Sequence, residues 1–420
     1  MKKKLFTAAL GVLFTAATAT IATPAHAAVA TPVWTTANSV STGDQDAPAI
    51  ATNRNGYVAV VWEDDRDTTA ATDNAHSEVF LRLYRNGTAL YETKLSAAGG
   101  SGVTNWRHLH PDVGLDDKGN AVVVWADDPD GNGYYNVPYR VVNTAGTVTA
   151  SGSANTSSDG QQINPRVAVD PDGAPVGGAV AFTVVWEDIQ TGAQPTVKAA
   201  GFTGPTTRAY EVTASTATGQ HHNPDVAVSA SGDAIVVWDD GSTDTSYNVG
   251  LVGLARTTGA VTLSRRTANA SVTGAQTNAS VAANFNGDFA VAWESNHTAT
   301  AGAWTRGFTG TGAARYAEVE VVAGGKSPSV GIDDQARTVV GWTAQAADLD
   351  VWVRGFNSTG TTDAPQLSAQ QLSQLTAGRQ EQMVVAVSPW AEVAVAYTDD
   401  NDGNTYDQVA LGQDISNNNF

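Results

Sequence analysis

Short runs of hydrophobic residues alternate with clusters of glycine, aspartate and asparagine along most of this 420-residue chain. Many of the runs are rich in valine and end in an aromatic residue, as in Val122, Val123, Val124 and Trp125. β-Branched and aromatic residues favour strands, and a continuous apolar run of this kind is typical of a strand that is buried on both faces. No stretch has a convincing helical period, so the pattern predicts an all-β protein.

The same pattern recurs seven times, and each copy consists of a short alternating segment, a turn and a valine-rich run. The copies begin at Ala47, His110, Asn164, Asn223, Asn278, Ser327 and Gln382. In six copies the second position, which is usually proline, precedes the closing aromatic residue by the same 14 positions, as from Pro48 to Trp62. In the third copy Pro165 and Trp186 are 21 positions apart, so we place a seven-residue insert around Gly177 in a hairpin turn.

Each copy continues after the aromatic residue with an acidic loop, a third strand, a glycine-containing turn and a fourth strand rich in threonine and serine. The third strands are clearest at residues 79–84, 137–142, 304–308 and 351–356. Four antiparallel strands repeated every roughly 50 to 60 residues are typical of a β-propeller blade. We therefore predict a seven-bladed β-propeller of four-stranded antiparallel blades. A sandwich or a solenoid of the same hairpins is the alternative.

The two ends of the repeat array complement each other. The last copy ends after its third strand, in the sequence QVALGQDIS, whereas the segment PVWTTANSVSTGDQDAP ahead of the first copy has the character of a fourth strand. We predict that residues 33–41 complete the last blade, because this pairing closes the ring and removes an open strand edge.

The first 27 residues predict a secretory signal peptide. A lysine cluster precedes an apolar stretch that runs to about Ile21, and Ala25, His26 and Ala27 form a small-residue cleavage signal. We expect an exported protein in which residues 28–420 form one propeller domain; a membrane anchor is the alternative interpretation. The sequence contains no cysteine, which excludes disulfides, thiol catalysis and Cys-ligated zinc.

The formal net charge of −19 predicts which partners the protein avoids. An acidic surface repels phosphate backbones and anionic lipids, so nucleic acid and membranes are poor partners. Cations and neutral or basic ligands are better ones. We expect a monomer that binds an extracellular glycan or protein and uses no organic cofactor.

Three of the acidic loops carry oxygen-bearing side chains at alternate positions. In the second copy, positions 1, 3, 5 and 9 of the loop are Asp128, Asp130, Asn132 and Asn136. The corresponding residues are Asp240, Ser242, Asp244 and Asn248 in the fourth copy, and Asp400, Asp402 and Asn404 in the seventh. Ca²⁺ takes six to eight oxygen ligands at about 2.3 to 2.6 Å, which alternate residues of a curled loop can supply. The spacing predicts calcium sites; the alternative is a set of solvated turns, because Asp and Asn are common turn formers.

The sequence VVVW followed by an acidic pair resembles the repeats of secreted bacterial β-propeller proteins, over nearly all of the chain after the signal peptide. The D-x-D-x-N loops resemble the calcium loops of integrin α-subunit propellers and of some fungal propeller lectins. This second resemblance implies that Asp128, Asp130, Asn132 and Asn136 ligate calcium. Tyr139 stands where an EF-hand has glutamate, so the implied site is weak, with a dissociation constant of roughly 10⁻⁴ to 10⁻³ M.

The position three residues before each proline position is polar in six of the seven copies, and we expect the seven residues at this position to ring one mouth of the central channel. They are Gln45, His108, Gln162, His221, Gln276, Gly325 and Gln380, so six of the seven are glutamine or histidine. The structural interpretation is that they bond loop backbone of the adjacent blade, because buried loop groups need such partners. The functional interpretation is a ligand or a metal at the mouth, with His108 and His221 as the leading members.

The aromatic residues divide into two classes. The tryptophans at the closing position recur at fixed spacing, which favours packing between blades over ligand contact. They are Trp62, Trp125, Trp186, Trp238, Trp293 and Trp342. Aromatic rings beside carboxylates and amides suit sugars, so we expect ligand contacts from the tyrosines of the acidic loops and from neighbouring polar residues. These candidates are Tyr134, Tyr135, Tyr247, Tyr406, Trp106, Gln162 and Gln276.

The leading functional hypothesis is a secreted binding protein that recognises a glycan or another extracellular ligand on the loop face, with calcium ordering some loops. The alternative is a polysaccharide lyase or a glycoside hydrolase, which needs a base beside a charge-neutralising group. The candidate residues for that chemistry are His108, His221, His222 and Arg107, with Tyr135 nearby. A third hypothesis is a structural wall or matrix protein without a small ligand.

Overall fold

The computed structural model describes residues 33–66, 76–97, 106–173, 178–216, 218–243, 246–344, 349–361, 368–373, 378–400 and 407–413. These residues form seven sheets of four antiparallel strands, and neighbouring sheets contact one another around a closed ring. The predicted all-β, seven-bladed β-propeller is therefore confirmed. We number the blades 1 to 7 in chain order. The described part of the chain contains no helix that is long and apolar enough to cross a membrane.

The strands of each blade are counted outward from the axis, because the first strands surround it. The first strands are Gln45–Thr52, Arg107–Leu115, Gln161–Val169, Gln220–Val228, Gln276–Ala283, Gly325–Ile332 and Gln380–Val387. The second strands are Tyr57–Asp64, Ala121–Asp128, Phe182–Ile189, Ala234–Thr243, Phe289–Ser295, Thr338–Ala344 and Val393–Asp399. The third strands are Glu78–Arg85, Pro138–Val142, Thr196–Gly204, Ser246–Leu254, Gly302–Phe308, Asp350–Phe356 and Gln408–Gln413. The fourth strands are Thr88–Lys94, Val148–Ser153, Thr207–Thr213, Val261–Thr267, Val319–Ala323, Gln370–Gln371 and, in blade 7, Val33–Thr36.

The predicted closure of the ring by the N-terminal segment is confirmed, with a shorter strand than expected. Val33–Thr36 pairs antiparallel with Gln408–Gln413 and forms the outer edge of blade 7. The Trp34 ring meets the Tyr397 ring edge-on, with centroids 6.2 Å apart. The two ends of the repeat array therefore build one blade together.

The fourth strand of blade 7 ends before residue 41, the predicted end, because the Asn38 side chain takes over the hydrogen bonds of the strand backbone. Asn38 Oδ1 accepts the Val409 N–H at 3.0 Å, and Asn38 Nδ2 donates to Gln45 of blade 1 at 2.9 Å. The side chain thus replaces the strand backbone as hydrogen-bond partner. Asn155 and Asn269 make the equivalent bonds after the fourth strands of blades 2 and 4.

Seven apolar clusters hold the blades together, one at each junction. Each contains the aromatic residue that closes a second strand together with apolar side chains of the preceding blade. Trp125 of blade 2, for example, shares a cluster with Val61 and Leu81 of blade 1. The six tryptophans and Tyr397 are at most 2 % exposed, so the interpretation of these rings as inter-blade packing residues is confirmed. Truncating such a ring to alanine costs about 3 to 5 kcal/mol.

Each first strand contains a bulge at the residue directly before the proline position. The φ angle of this residue lies between 45° and 55° in all seven blades, and the pairing with the second strand shifts register there. The seven residues are Ala47, His110, Asn164, Asn223, Asn278, Ser327 and Gln382. Left-handed backbone is unfavourable for side chains other than glycine, so it persists only where the surroundings fix it.

Side chains of the preceding blade fix this bulge at five of the seven junctions. In four of them the side chain is the acid directly after the tryptophan, and it accepts the N–H of the left-handed residue. The pairs are Glu63 with His110 at 2.6 Å, Glu187 with Asn223 at 3.3 Å, Asp239 with Asn278 at 3.1 Å and Glu294 with Ser327 at 2.7 Å. Between blades 7 and 1, Gln382 Oε1 accepts the Ala47 N–H at 2.7 Å. Ala126 and Thr343 occupy the acid position at the other two junctions.

The first strands surround a channel along the axis with a volume of about 600 Å³. The third residue after the proline position is alanine or glycine in every blade, and neighbouring first strands approach closely there. A Cβ on Gly331 would lie 2.4 Å from Val387 Cγ2, and one on Gly114 would lie 2.7 Å from Val169 Cγ2. Small residues are therefore required for the ring to close around the channel.

The two ends of the channel differ. The loop face carries the connections from second to third strands and from each fourth strand to the next blade, and the opposite hairpin face carries the tight turns. On the hairpin face Arg54 of blade 1 spans the channel, because its Cζ lies 4.0 Å from the centroid of the Phe285 ring of blade 5. Arg54 Nε also lies 3.0 Å from Asp117 Oδ2, and the Trp390 indole donates to the Arg54 carbonyl at 3.2 Å. The channel therefore has a floor on the hairpin face and a mouth on the loop face.

The hydrogen bond between the acid after the tryptophan and the next blade can be tested by substituting Asp239, which is 2 % exposed. In Asp239→Ala the N–H groups of Asn278 and Ala279 lose their acceptor, and we expect the free energy of unfolding to fall by about 1 to 3 kcal/mol. Asp239→Asn keeps an acceptor oxygen and should lose less. Urea unfolding followed by tryptophan fluorescence measures both variants; wild-type stability of Asp239→Ala would contradict the role of this bond.

Candidate functional site

The mouth of the channel is formed by the seven left-handed residues, which we call the mouth ring. Six members carry polar side chains, and all seven line the channel. His110, Asn223, Asn278, Ser327 and Gln382 are exposed there, whereas Ala47 and Asn164 are half-buried. The sequence holds a signal for this ring that we missed: three of its members are asparagine, which tolerates left-handed backbone better than most residues.

The neighbouring acids orient the amides of the mouth ring. Asn223 Nδ2 donates to Asp239 Oδ2 at 2.9 Å, and Asn278 Nδ2 donates to Glu294 Oε1 at 2.8 Å. Each amide is thus held by its nitrogen, and its oxygen remains an acceptor beside the open channel. A fixed acceptor at an open mouth suits recognition of a ligand hydroxyl, because its orientation costs no further entropy on binding.

The residues that stand three positions before each proline position do not form the channel mouth, so this expectation is wrong. Gln45, Gln162, Gln276 and Gln380 have no exposed surface, and His108 and His221 are 1 % exposed. The structural interpretation is confirmed instead, because these side chains bond the connection that arrives from the preceding blade. Gln45 Nε2 donates to the Thr42 and Gly43 carbonyls, Gln162 Nε2 to the Asp159 carbonyl and Gln276 Nε2 to the Thr273 carbonyl.

The two buried histidines are part of the same arrangement. His108 Nδ1 bonds the Asp127 carboxylate, and its Nε2 bonds the Ala97 carbonyl at 2.9 Å. His221 Nδ1 lies 2.8 Å from Asp240 Oδ1. Burial by itself would raise the pKa of the Asp240 carboxyl. The hydrogen bonds from His221 and from Trp238 outweigh this effect and lower that pKa. Both imidazoles therefore contact protein groups behind the channel wall.

His222 lies on the loop face near Tyr247. Its Nδ1 lies 2.7 Å from Glu187 Oε1, a hydrogen bond that raises the pKa of the imidazole. The Tyr247 hydroxyl donates to Gln220 Oε1 at 3.3 Å, and His222 Nε2 lies 3.4 Å from the same oxygen. The fold therefore brings together two residues that the sequence singled out separately. This cluster places an imidazole, an amide and a phenol together on the loop face.

A second cluster on the loop face contains Arg107 and Tyr135 of blade 2 with acids of blade 1. Asp46 and Glu63 lie opposite each other on paired strands. Burial raises the pKa of Asp46 to about 7, with Asp407 adding to the effect, and burial also raises the pKa of Glu63 well above its usual range. The Tyr135 hydroxyl bonds Arg107, whose charge also acts on Glu63. The raised pKa values favour the protonated form of these carboxyls, which donates a hydrogen bond, over the charged form.

The acidic loops hold their predicted ligands in different ways. Asp128 accepts the N–H groups of Asn132 at 3.0 Å and Gly133 at 2.8 Å, and its pKa is raised by burial and by the adjacent Asp130. Asn136 Oδ1 instead accepts Asn155 Nδ2 at 2.8 Å. Among the described residues, no three His, Asp or Glu side chains form a group that could hold a metal ion. A cation in this loop would therefore need Asn132 and backbone oxygens in addition to the two carboxylates.

The acidic loops of the fourth and seventh copies are less suited to a cation than the loop of the second copy. Asp240 is engaged with His221 and Trp238, and Asn248 Oδ1 accepts Asn269 Nδ2 at 2.9 Å. The side chains of Ser242 and Asp244 lie outside the described residues, as do Asp402, Asn404 and Tyr406; Asp400 is half-buried beside that gap. The signal peptide predicted for residues 1–27 also lies outside the described residues.

Two predicted ligand contacts are placed at the rim of blade 2. Tyr134 is 52 % exposed, and Trp106 packs its ring between His76 and His108 at centroid distances of 5.1 and 5.3 Å. Tyr135 and Tyr247 are half-buried. Tyr134 is thus the exposed member of the described aromatic candidates, whereas Gln162 and Gln276 have no exposed surface.

No protein-family model matches the sequence, and no curated protein does. Solved structures match at low identity, which shows the fold alone. The polysaccharide lyase Uly1 is 8 % identical with a TM-score of 0.50, and the match covers 90 % of this chain and 91 % of that one. An α-L-arabinofuranosidase from Fusarium graminearum is 11 % identical with a TM-score of 0.50, covering 74 % and 94 %. The NanB sialidase from Streptococcus pneumoniae is 9 % identical with a TM-score of 0.47, covering 90 % and 69 %.

The buried acids predict how stability depends on pH. Burial raises the pKa of Asp46 and of Asp112 to about 7 and that of Asp239 to about 6, whereas these groups titrate near 4 in an unfolded chain. Between those values the folded protein binds more protons than the unfolded chain, so the free energy of unfolding should fall as pH rises from about 4 to 8. Urea unfolding at pH 4.5, 6 and 8 measures this slope.

The Asp112→Asn variant supplies the control for that slope. The amide keeps an acceptor oxygen for the Val167 N–H, which Asp112 Oδ2 now accepts at 2.7 Å, but it cannot ionise. We expect the variant to lose less stability than the wild type between pH 6 and 8. A wild-type protein that gains stability over this range would contradict the raised pKa values.

Proposed function

We propose that this protein binds a carbohydrate at the mouth ring on the loop face of its channel. The observation that carries the proposal is the ring itself: six polar side chains surround one opening, and two of its asparagine amides are held in place by buried or half-buried acids. Sugars present many hydroxyl groups, and fixed amide oxygens accept hydrogen bonds from them. The aromatic rings of Tyr135 and Tyr247 add apolar surface at the rim, as sugar sites require.

The dimensions of the channel support the same conclusion. Its volume of about 600 Å³ lies within the range of roughly 300 to 1,000 Å³ that is typical of small-ligand sites. Arg54 and Phe285 close the hairpin face, so a ligand enters from the loop face. The two neighbours with a TM-score of 0.50 are a lyase of polysaccharides and an arabinofuranosidase, which supports a carbohydrate ligand by analogy of fold.

We favour a binding function over a catalytic one. The buried positions of His108 and His221 leave Arg107 and His222 as the candidates of the lyase hypothesis that lie on the loop face. These two belong to different clusters, one with Tyr135 and one with Tyr247. The mouth ring, by contrast, gathers its groups around a single opening.

The binding proposal predicts the effect of removing two amides. In the double variant Asn223→Gly, Asn278→Gly the left-handed backbone is retained, because glycine adopts positive φ without strain. We expect at least a ten-fold loss of affinity for the oligosaccharide that binds the wild type best on a glycan array, measured by calorimetry, since two amide acceptors are lost.

The matched control is Asn86→Gly. Asn86 also has a positive φ, of 47°, but it lies in the turn between the third and fourth strands of blade 1 on the hairpin face. This variant should bind as the wild type does. Equal binding by the double variant, or no glycan bound by the wild type, would refute the proposal; cleavage of the bound glycan would instead identify an enzyme.

We further propose that the protein acts outside the cell and that calcium orders the Asp128 loop. The neighbouring Asp130 disfavours ionisation of Asp128, and a divalent cation would relieve that repulsion. Asn132 approaches Asp130, with Nδ2 2.9 Å from Asp130 Oδ2, so its amide can rotate to offer its oxygen to a cation. Asp240 is less suited, because it is engaged with His221 and Trp238.

Calcium binding predicts a change in thermal stability. With Ca²⁺ at 100 times its dissociation constant, the stabilisation is about 2.7 kcal/mol, so the melting temperature should rise with added Ca²⁺ and fall again with EDTA. The Asp130→Asn variant should not respond, and Mg²⁺ at the same concentration should have a smaller effect, since it prefers a rigid octahedral site. Identical melts in Ca²⁺ and EDTA would exclude calcium in this loop.

A further inference from the structure

At the level of the residue that follows the proline position, the wall of the channel is charged on one side only. At the position directly after the proline position, blades 2, 3 and 4 carry Asp112, Arg166 and Asp225, and all three line the channel. The equivalent residues of the other blades are uncharged: Ala49, Ser280, Ser329 and Val384. A ligand in the channel therefore meets one charged wall, with a guanidinium at its centre.

Arg166 makes no ion pair with any of the described residues. Its one hydrogen bond to a described residue runs from Nη1 to the carbonyl of Pro165, at 2.9 Å, whereas a guanidinium has five N–H donors. The adjacent carboxylates are engaged elsewhere: Asp112 Oδ2 accepts the Val167 N–H at 2.7 Å, and Asp225 Oδ2 accepts the Val281 N–H at 2.8 Å. Arg166 is a half-buried residue of the channel lining, and its remaining donors have no acceptor among the described residues.

Polar groups of the mouth ring surround this guanidinium. The His110 side chain bonds Asn164, and partial desolvation at the crowded mouth, together with the charge of Arg166, lowers the pKa of that imidazole. Arg166 thus supplies the positive charge in this part of the channel wall, beside the Asn164 amide. Arg54, the other arginine that lines the channel, is paired with Asp117 in the floor.

We propose that Arg166 binds the carboxylate of an acidic sugar unit, of the uronic acid class, with His110 and Asn164 beside it. This proposal rests on the carbohydrate-binding function and names the chemistry of its ligand. A planar carboxylate accepts two parallel hydrogen bonds from a guanidinium, which fixes the orientation of the sugar in the channel. Asp112 and Asp225 flank Arg166 on both sides, which favours a singly charged carboxylate over a doubly charged phosphate.

The overall charge of the protein sets a limit on this ligand. The net charge of −19 repels a dense polyanion at long range, whereas a single carboxylate inside the channel interacts with Arg166 at short range and in a lower dielectric. The expected ligand therefore carries isolated carboxylates, for example at the end of a chain, rather than a continuous row of charges.

Calorimetry with D-glucuronate, its methyl ester and D-glucose tests the proposal. The three probes share the same ring, and D-glucuronate alone carries the charge. We expect the wild type to bind D-glucuronate at least about ten-fold more tightly than the other two. Arg166→Gln should abolish this preference, and Arg166→Lys, which keeps the charge without the planar fork, should retain part of it.

Arg266→Gln is the matched control. The Arg266 guanidinium also bonds carbonyl oxygens, those of Ser264 and Gly312, but the residue is exposed on the outer strand of blade 4. This variant has the same change in net charge and should keep the preference for D-glucuronate. The melting temperature of each variant establishes that it is folded, and the comparison of acid with methyl ester in the wild type depends on no variant.

The outcomes separate this inference from the proposed function. If the wild type binds D-glucose and the methyl ester as tightly as D-glucuronate, and the mouth-ring double variant still loses glycan binding, the carboxylate assignment is wrong and the glycan site stands. Tighter binding of D-glucose 6-phosphate than of D-glucuronate would replace the carboxylate by a phosphate. If no sugar binds at all, both proposals fall.

Discussion

The ring depends on hydrogen bonds from a side chain of one blade to the backbone of the next. Hydrophobic contact has no direction, so an apolar junction alone would let neighbouring blades slide past each other. A hydrogen bond to one particular N–H fixes the register of the two blades. Where the acid after the tryptophan is missing, at Ala126 and Thr343, a second bond takes its place: Asp112 accepts the Val167 N–H, and Ser329 Oγ accepts the Val385 N–H at 3.0 Å. All seven junctions therefore carry at least one such bond.

This constraint also forms the site. The acid that holds each amide nitrogen also accepts a backbone N–H of the next blade. Asp239 holds the Asn223 amide and accepts the Asn278 N–H, and Glu294 holds the Asn278 amide and accepts the Ser327 N–H. Fixing the backbone at positive φ brings these side chains to the mouth of the channel, and the bond to the amide sets their direction. The geometry of the mouth ring is thus a consequence of how the blades are joined, and the mouth requires no separate loop to build it.

Much of the fold could be predicted, because its determinants are local in sequence. The constant spacing from Pro48 to Trp62 and its equivalents defines a hairpin, and the complementary ends define closure. The mouth could not be located in the same way. A bulge moves the exposed position from three residues before the proline to one before it, and the bond that stabilises it, as between Glu63 and His110, joins residues of different blades. Spacing likewise could not reveal that Asp240 is engaged by the buried His221.

The pairing of the chain ends has a consequence for how the protein forms. Asn38 of the N-terminal segment bonds Gln408, which is 370 residues away in sequence, and blade 7 has no outer strand until this contact is made. Contacts between distant residues cost the most chain entropy and form late in folding. The six blades made of consecutive strands can therefore assemble first, as an open arc with one unpaired edge. The ring can close only after the third strand of blade 7, Gln408–Gln413, has been made.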